Sequence, residues 1–153
     1  LVDPALANLA GPPSFATCTR DVYAADARFE PAEAVRIAHG IASAARHLHA
    51  RGIMHGDLYA HNILHDGKGG ALLGDFGAAS VYDVNDRVRA ARLERLEVRA
   101  FGYLLGELLA RCEPRAWEGS HALDALAAAC LNEDIDARPS FGEVSVVLAA
   151  SKA

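Results

Sequence analysis

A chain of 153 residues that is 52% hydrophobic and 23% charged is long enough to bury one core and too apolar for a disordered tail. Its formal net charge of -5, with the basic residues dispersed, argues against a broad nucleic-acid-binding face, which needs concentrated Lys and Arg. No apolar run approaches the roughly 20 residues a bilayer span requires, and no basic segment followed by an apolar run marks a secretion signal.

Cys18, Cys112 and Cys130 are odd in number and show no C-x-x-C spacing, which suits a reducing, cytoplasmic compartment with each thiol serving as a small core residue. The chain begins with Leu1 rather than Met and reads as a piece of something longer.

In chain order, residues 1–30 read as an irregular segment, broken by Gly11, Pro12 and Pro13. A helix starts at Pro31, a good first-turn residue, and carries Ala34, Ile37, Ala38, Ile41, Ala45 and Leu48 at three- and four-residue steps. Gly52 suits its left-handed stop. The short apolar runs 62–65 and 71–74 flank Asp66-Gly67-Lys68-Gly69-Gly70 and predict a small hairpin. Residues 78–91 read as a loop or a frayed segment.

The stretch 92–111 is the most helical. It is apolar on nearly every face after Ala100, as a central buried helix would be. Its Arg-rich approach (Arg87, Arg89, Arg92, Arg95, Arg99), interleaved with Glu94 and Glu97, reads as a solvated face. After Pro114, Ser120 opens a helix with the stripe Leu123, Leu126, Ala127, Cys130 and Leu131. Ser140-Phe-Gly-Glu143 has the spacing of a capping box at the start of a last helix. The fold expected is mainly α with one small hairpin.

Two segments place acids and amides in loops beside that hairpin: His55-Gly-Asp57-Leu-Tyr-Ala-His-Asn62, and Gly74-Asp75-Phe76-Gly77. The hairpin should bring Asn62 near Asp75, with Asp57 on the loop just before. Two neighbouring oxygen ligands can hold Mg²⁺, which completes its shell with phosphate oxygens and water. A third carboxylate can accept a proton from a substrate hydroxyl. These are the parts phosphoryl transfer requires. His47, His49, His55, His61 and His65 cluster in sequence, but no spacing completes a zinc pattern, so they read as surface and packing residues. Trp117 reads as a core or edge aromatic.

HGDLYAHNIL (55–64) resembles the catalytic loop of protein kinases, and Gly74-Asp-Phe-Gly77 resembles their magnesium-binding segment. Residues 97–109 resemble the family's buried central helix. Cys130-Leu131 with Arg138-Pro-Ser-Phe141 resembles the approach to its final helix. The matches run in family order over about residues 31–150. The wording LLGDFGAAS is most similar to bacterial kinase-like proteins that also carry leucine-rich repeats.

The resemblance implies a protein-kinase C-terminal (catalytic) lobe over 31–153, with 1–30 a hinge-side segment and the N-terminal lobe outside this chain. It implies ATP and Mg²⁺ as cofactors and a protein hydroxyl as acceptor, Ser/Thr favoured over Tyr. Asp57 would be the catalytic base. Asn62 and Asp75 would hold the metal, and Leu64 would lie under the adenine. His55 and Phe76 would stack in the internal apolar column, Glu97 would steady the catalytic loop, and Arg138 would be a buried ion-pair partner.

The sequence also departs from the family. Gly56 replaces the arginine that reads an activating phosphate. Tyr59 stands where serine/threonine kinases carry lysine. Only 21 residues separate Asp75 from Glu97, with no Ala-Pro-Glu, so Glu94 is the candidate partner for Arg138. The connection 112–120 is too brief for the usual docking helix. No G-x-G-x-x-G occurs in 1–30 and no lysine precedes Lys68, so the chain alone should be inactive. Two rival readings follow: a pseudokinase acting as an interaction module, and a small-molecule kinase of the aminoglycoside-phosphotransferase type, which shares His-Gly-Asp-x-x-x-x-Asn.

Overall fold

In the computed structural model, residues 5–16 and 21–151 are described; Cys18 lies outside them. The element order is β1 (Ala7–Asn8), α1 (Pro31–His49), β2 (Ile53–Met54), β3 (Ile63–His65), β4 (Ala71–Leu73), β5 (Ser80–Val81), α2 (Arg87–Leu109), α3 (Ser120–Cys130) and α4 (Phe141–Ala150). Three single 3₁₀ turns, Ala60–Asn62, Phe76–Ala78 and Ile135–Ala137, complete it. About half the chain is helical and strands are few, which is compatible with a kinase-like domain.

The helices form because their apolar spacing gives each a face to bury. Ile37, Ala38, Ile41, Ala42 and Ala45 of α1 are fully buried, and α1 packs on both α2 and α4. On α2, Val98, Phe101, Leu104, Leu105 and Leu108 are equally inaccessible, and this helix packs against α3 through Leu123 and Cys130. Close approach there needs Gly102: a Cβ at that position would sit 2.7 Å from Cys130 Cβ. Phe141 of α4 meets Phe101 edge-on at 5.8 Å and stacks on His49 at 5.6 Å. Each fully buried Leu, Ile or Phe contributes roughly 1.5–3 kcal/mol.

Helix ends are set by specific side chains. Pro31 sits in the first turn of α1, and Gly52, at φ 69°, turns the chain after it. At α4, the Ser140 hydroxyl accepts from Glu143 N and the Glu143 carboxylate accepts from Ser140 N, completing the capping box.

Three expectations need correction. Residues 1–30 are not wholly irregular: β1 pairs antiparallel with β3, so the predicted hairpin is the β3–β4 part of a three-stranded sheet ordered β1-β3-β4. The segment is also tied down, because Phe29 exchanges main-chain hydrogen bonds with Arg111 and Glu113, and Tyr23 donates to Glu107. Second, 78–91 is neither all loop nor frayed. Ser80–Val81 pairs with β2, and α2 begins at Arg87, where the Asp86 carboxylate accepts from Arg89 N. Third, α2 is not buried on every side: Leu96 is 49% and Tyr103 37% exposed.

Candidate active site

Residues 55–62 connect β2 to β3. The main chain of this loop's first residues hangs on a buried carboxylate. Glu97, 2% exposed in α2, accepts from Gly56 N at 2.7 Å and from His55 N at 3.2 Å. It also accepts from His49 Nε2 at 2.7 Å, and the Tyr82 hydroxyl lies 2.7 Å from the other nitrogen of that ring. Burial pushes the Glu97 carboxyl up, but the bonds from His49, Gly56 and His55 outweigh it and hold the group below the ordinary glutamate range.

His55 joins the two motif segments. Its Nδ1 accepts from Asp57 N at 3.3 Å, which leaves Nε2 to donate to Gly74 O at 2.8 Å. Gly74 N in turn donates to Asn62 O at 2.8 Å. Phe76 packs edge-on against the His55 ring at 4.8 Å and remains 49% exposed.

Asp57 and Asn62 are directly bonded. Asn62 Nδ2 donates to Asp57 Oδ2 at 2.8 Å and to Asp57 O at 2.9 Å. That commitment of the amide nitrogen leaves Asn62 Oδ1 as the atom free to face a cation. The Asp57 side chain is 38% exposed. Asp75 adopts φ 51° and ψ 81°, a left-handed conformation uncommon outside glycine, and its carboxylate accepts from Gly77 N at 3.1 Å. Such outliers collect at functional sites. The structure thus gathers Asp57, Asn62, His55, Gly74, Asp75 and Phe76 at one end of the sheet.

The donor set fits magnesium. Asn62 and Asp75 offer hard oxygens, and a two-ligand site leaves the rest of an octahedral shell to phosphate and water. Among the described residues, no group of three or more His, Cys, Asp or Glu is placed to cage a metal. Leu64 lies apart from the carboxylates, half-buried in β3 opposite Leu72 (54% exposed), on the face away from the core residue Ile63.

Arg138 differs from the expectation of an ion pair. It is 5% exposed, and its guanidinium donates to the carbonyls of Asn132, Arg95 and Glu133. Glu94 instead accepts from Phe141 N at 2.8 Å, serving the start of α4. Among the described residues, no ion pair to Arg138 occurs. Carbonyls can serve because a guanidinium has five donors, and here they come from the 132–133 turn and from Arg95 of α2.

Asp21 is a residue the sequence did not flag. Its side chain is 1% exposed and accepts from Ala60 N at 3.1 Å, His61 N at 3.2 Å and His61 Nδ1 at 2.6 Å. It pins the turn between Asp57 and Asn62. The histidines are likewise more than surface residues: His49, His55 and His61 all carry hydrogen bonds that shape the loop. Gly56, at φ 82°, is where that loop meets the 76–78 turn, since a Cβ there would lie 2.6 Å from Ala78 O. The arginine expected by family pattern has no room.

A model of the protein kinase domain matches residues 15–96, from the segment before α1 through the loop, the hairpin and Asp75 to the first half of α2. A serine/threonine-protein kinase of Arabidopsis thaliana (AtPK1/AtPK6) is 51% identical over 47 residues, 31% of this chain and 10% of that protein. The serine/threonine-protein kinase PkaB of Streptomyces coelicolor is 34% identical over 104 residues, 63% of this chain and 24% of its own. A serine/threonine-protein kinase-like protein of Arabidopsis thaliana is 26% identical over 169 aligned positions, 76% of this chain and 49% of its own. The chain therefore spans from a tenth to about half the length of these relatives. With more than half of its residues matched, and with the matched stretch containing Asp57, Asn62 and Asp75, the chain belongs to the protein kinase domain family.

Proposed function

We propose that this chain is the catalytic C-terminal lobe of an ATP-dependent protein kinase that transfers the γ-phosphoryl group to a protein hydroxyl, serine or threonine in preference to tyrosine. The observation that carries this reading is the Asp57–Asn62 hydrogen-bonded pair, joined through the His55–Gly74 bond to the left-handed Asp75 turn. The names of the serine/threonine kinase relatives support the acceptor class.

Asp57 orients the acceptor hydroxyl and takes its proton as the oxygen bonds to the γ-phosphorus. The bond from that phosphorus to the β–γ bridging oxygen breaks, and ADP leaves with the electron pair. A general base of this kind contributes on the order of 10²–10⁴ in rate. Asn62 and Asp75 would hold Mg²⁺, which would supply charge neutralisation on the phosphate oxygens. Leu64, with Leu72 beside it, forms the apolar floor for the adenine. Phe76 and His55 couple the metal-side turn to the catalytic loop, and Glu97 holds that loop to α2.

An N-terminal lobe bearing the glycine-rich loop and strand lysine covers the exposed Leu72 and Phe76; that the whole protein also carries leucine-rich repeats rests on the wording LLGDFGAAS alone. This chain alone is then inactive. No helix among the described residues is long and apolar enough to cross a membrane. Cys112 and Cys130 are free and buried, and burial raises their thiols to about 11 and about 12, so they stay protonated core residues, in keeping with a cytoplasmic location.

The test is phosphoryl transfer from labelled ATP by the full-length protein and its Asp57→Ala variant, offered protein acceptors and, separately, aminoglycosides and sugars. Label on protein that disappears in the variant supports the proposal. Label on the small molecules instead supports the aminoglycoside-type reading, which shares His55-Gly56-Asp57 and Asn62, whereas Asp75-Phe76-Gly77 and Arg138-Pro-Ser-Phe141 favour the protein kinase. No transfer with either class supports the pseudokinase reading.

A further inference from the structure

One face of α2 is left open beside the catalytic loop. Leu96, Ala100 and Tyr103 follow one another at four- and three-residue steps and so line one side of the helix. Leu96 and Tyr103 are 49% and 37% exposed on a helix whose Val98, Phe101, Leu104, Leu105 and Leu108 are buried in the core. Together with Arg99 and with Tyr59 from the loop, they bound a groove of about 320 Å³. Of its five lining residues, Arg99 alone is charged and none is acidic.

The groove lies close to the Asp57 carboxylate. The Tyr59 ring stacks on the His61 ring with centroids 6.0 Å apart and planes within 9° of parallel. His61 Nε2 lies 4.0 Å from Asp57 Oδ2, and the other side of that imidazole is held by the buried Asp21. A single imidazole thus separates the tyrosine wall from Asp57. Two successive spacings of this size total about 10 Å, which an extended chain covers in about three residues at roughly 3.3–3.6 Å each.

We propose that this groove binds the substrate polypeptide two or three residues from the phospho-acceptor, and that it selects an apolar or aromatic side chain accompanied by a carboxylate. The apolar part answers Tyr59, Leu96 and Tyr103, and the carboxylate answers Arg99. A basic substrate residue is disfavoured there, because the one charge in the lining, Arg99, is of the same sign. This proposal rests on the phosphotransferase reading of Asp57.

The test uses the full-length protein and a serine-centred peptide library, scanned at positions two and three on both sides of the acceptor. The expected preference is Glu or Asp next to Leu or Phe at one of these positions. Arg99→Glu should shift the ratio of kcat/KM for a Glu peptide over its Lys counterpart by about tenfold toward lysine, as reversal of a partly screened charge contact does. Tyr103→Ser should reduce the preference for Phe over Ala at the same position by a similar factor. In a second arm, the Asp57→Ala protein binds the fluorescein-labelled Glu-Phe peptide with its serine replaced by alanine, followed by anisotropy. Adding Arg99→Glu should weaken that binding about tenfold.

A library preference that neither substitution moves, with Asp57→Ala inactive, overturns the groove and leaves the kinase reading intact. Full activity in Asp57→Ala overturns the kinase reading, and the anisotropy arm then decides the groove by itself. If Leu96→Ser and Tyr103→Ser change only the self-association of the protein, the groove is an interface between copies and the proposal fails.

Discussion

Replacing Glu97 with alanine removes the acceptor on which the catalytic loop hangs. The carboxylate is 2% exposed and receives three donors: His49 Nε2, Gly56 N and His55 N. Each buried donor left without a partner costs about 1–3 kcal/mol, and the three losses overlap because the loop can shift to rehydrate part of them. The expected destabilisation is about 4 kcal/mol, within the roughly 3–5 kcal/mol typical of breaking a buried charged pair from one side. Against a domain stability of about 5–15 kcal/mol, that is a large share. With an m-value of about 2 kcal/mol per molar urea, the unfolding midpoint falls by about 2 M. The pH dependence gives a second handle. The folded pKa of Glu97 lies below its ordinary value of 4.5, so its contribution is present above that value and is lost as pH falls through the folded pKa. Glu97→Gln, which cannot ionise, should flatten the acid limb of stability below about pH 4.5. Urea titrations of wild type and both variants across that range test this. A loss under about 1 kcal/mol for Glu97→Ala, or an unchanged acid limb for Glu97→Gln, refutes the reasoning.

Gly56→Arg, which restores the family's commoner residue, should destabilise the protein by about 2 kcal/mol or more, because φ 82° is strained for any side chain and a Cβ would meet Ala78 O. Differential scanning calorimetry measures it, and an unchanged melting temperature contradicts it. Asp21→Ala strands the amides of Ala60 and His61 and should cost about 2–4 kcal/mol. Hydrogen exchange should rise first at residues 60–62; a rise confined to other segments contradicts the role assigned to Asp21.

How much of this was legible in the sequence depended on how local each signal is. Pro31 and the Ala34–Leu48 stripe marked α1 because both the cap and the buried face repeat within one element. The Ser140–Glu143 box and the β3–β4 hairpin are equally local. The start of α2 was hidden: residues 87–95 carry Arg at 87, 89, 92 and 95 and leave Val88 70% exposed, so no apolar period betrayed the helix that Asp86 caps. Strand β1 is two residues long and finds β3 more than 50 residues away, a pairing no local pattern encodes. Asp21 was missed for the same reason, since a lone aspartate between irregular segments has no signature until its partners, 39 and 40 residues on, are brought to it. The segments carrying Asp57, Asn62 and Asp75 were legible because their spacing within a loop and a hairpin is itself the motif. Arg138 was identified as buried, but its partners were not, because a carbonyl acceptor leaves no trace in residue type.

The most direct measurement is a single-turnover phosphoryl-transfer rate for the full-length protein against its Asp57→Asn variant, at saturating ATP and magnesium. A fall of roughly 10²–10⁴ with ATP still bound is the predicted result. An Asp57→Asn rate equal to wild type would show that the carboxylate beside Asn62 is not where the acceptor proton goes.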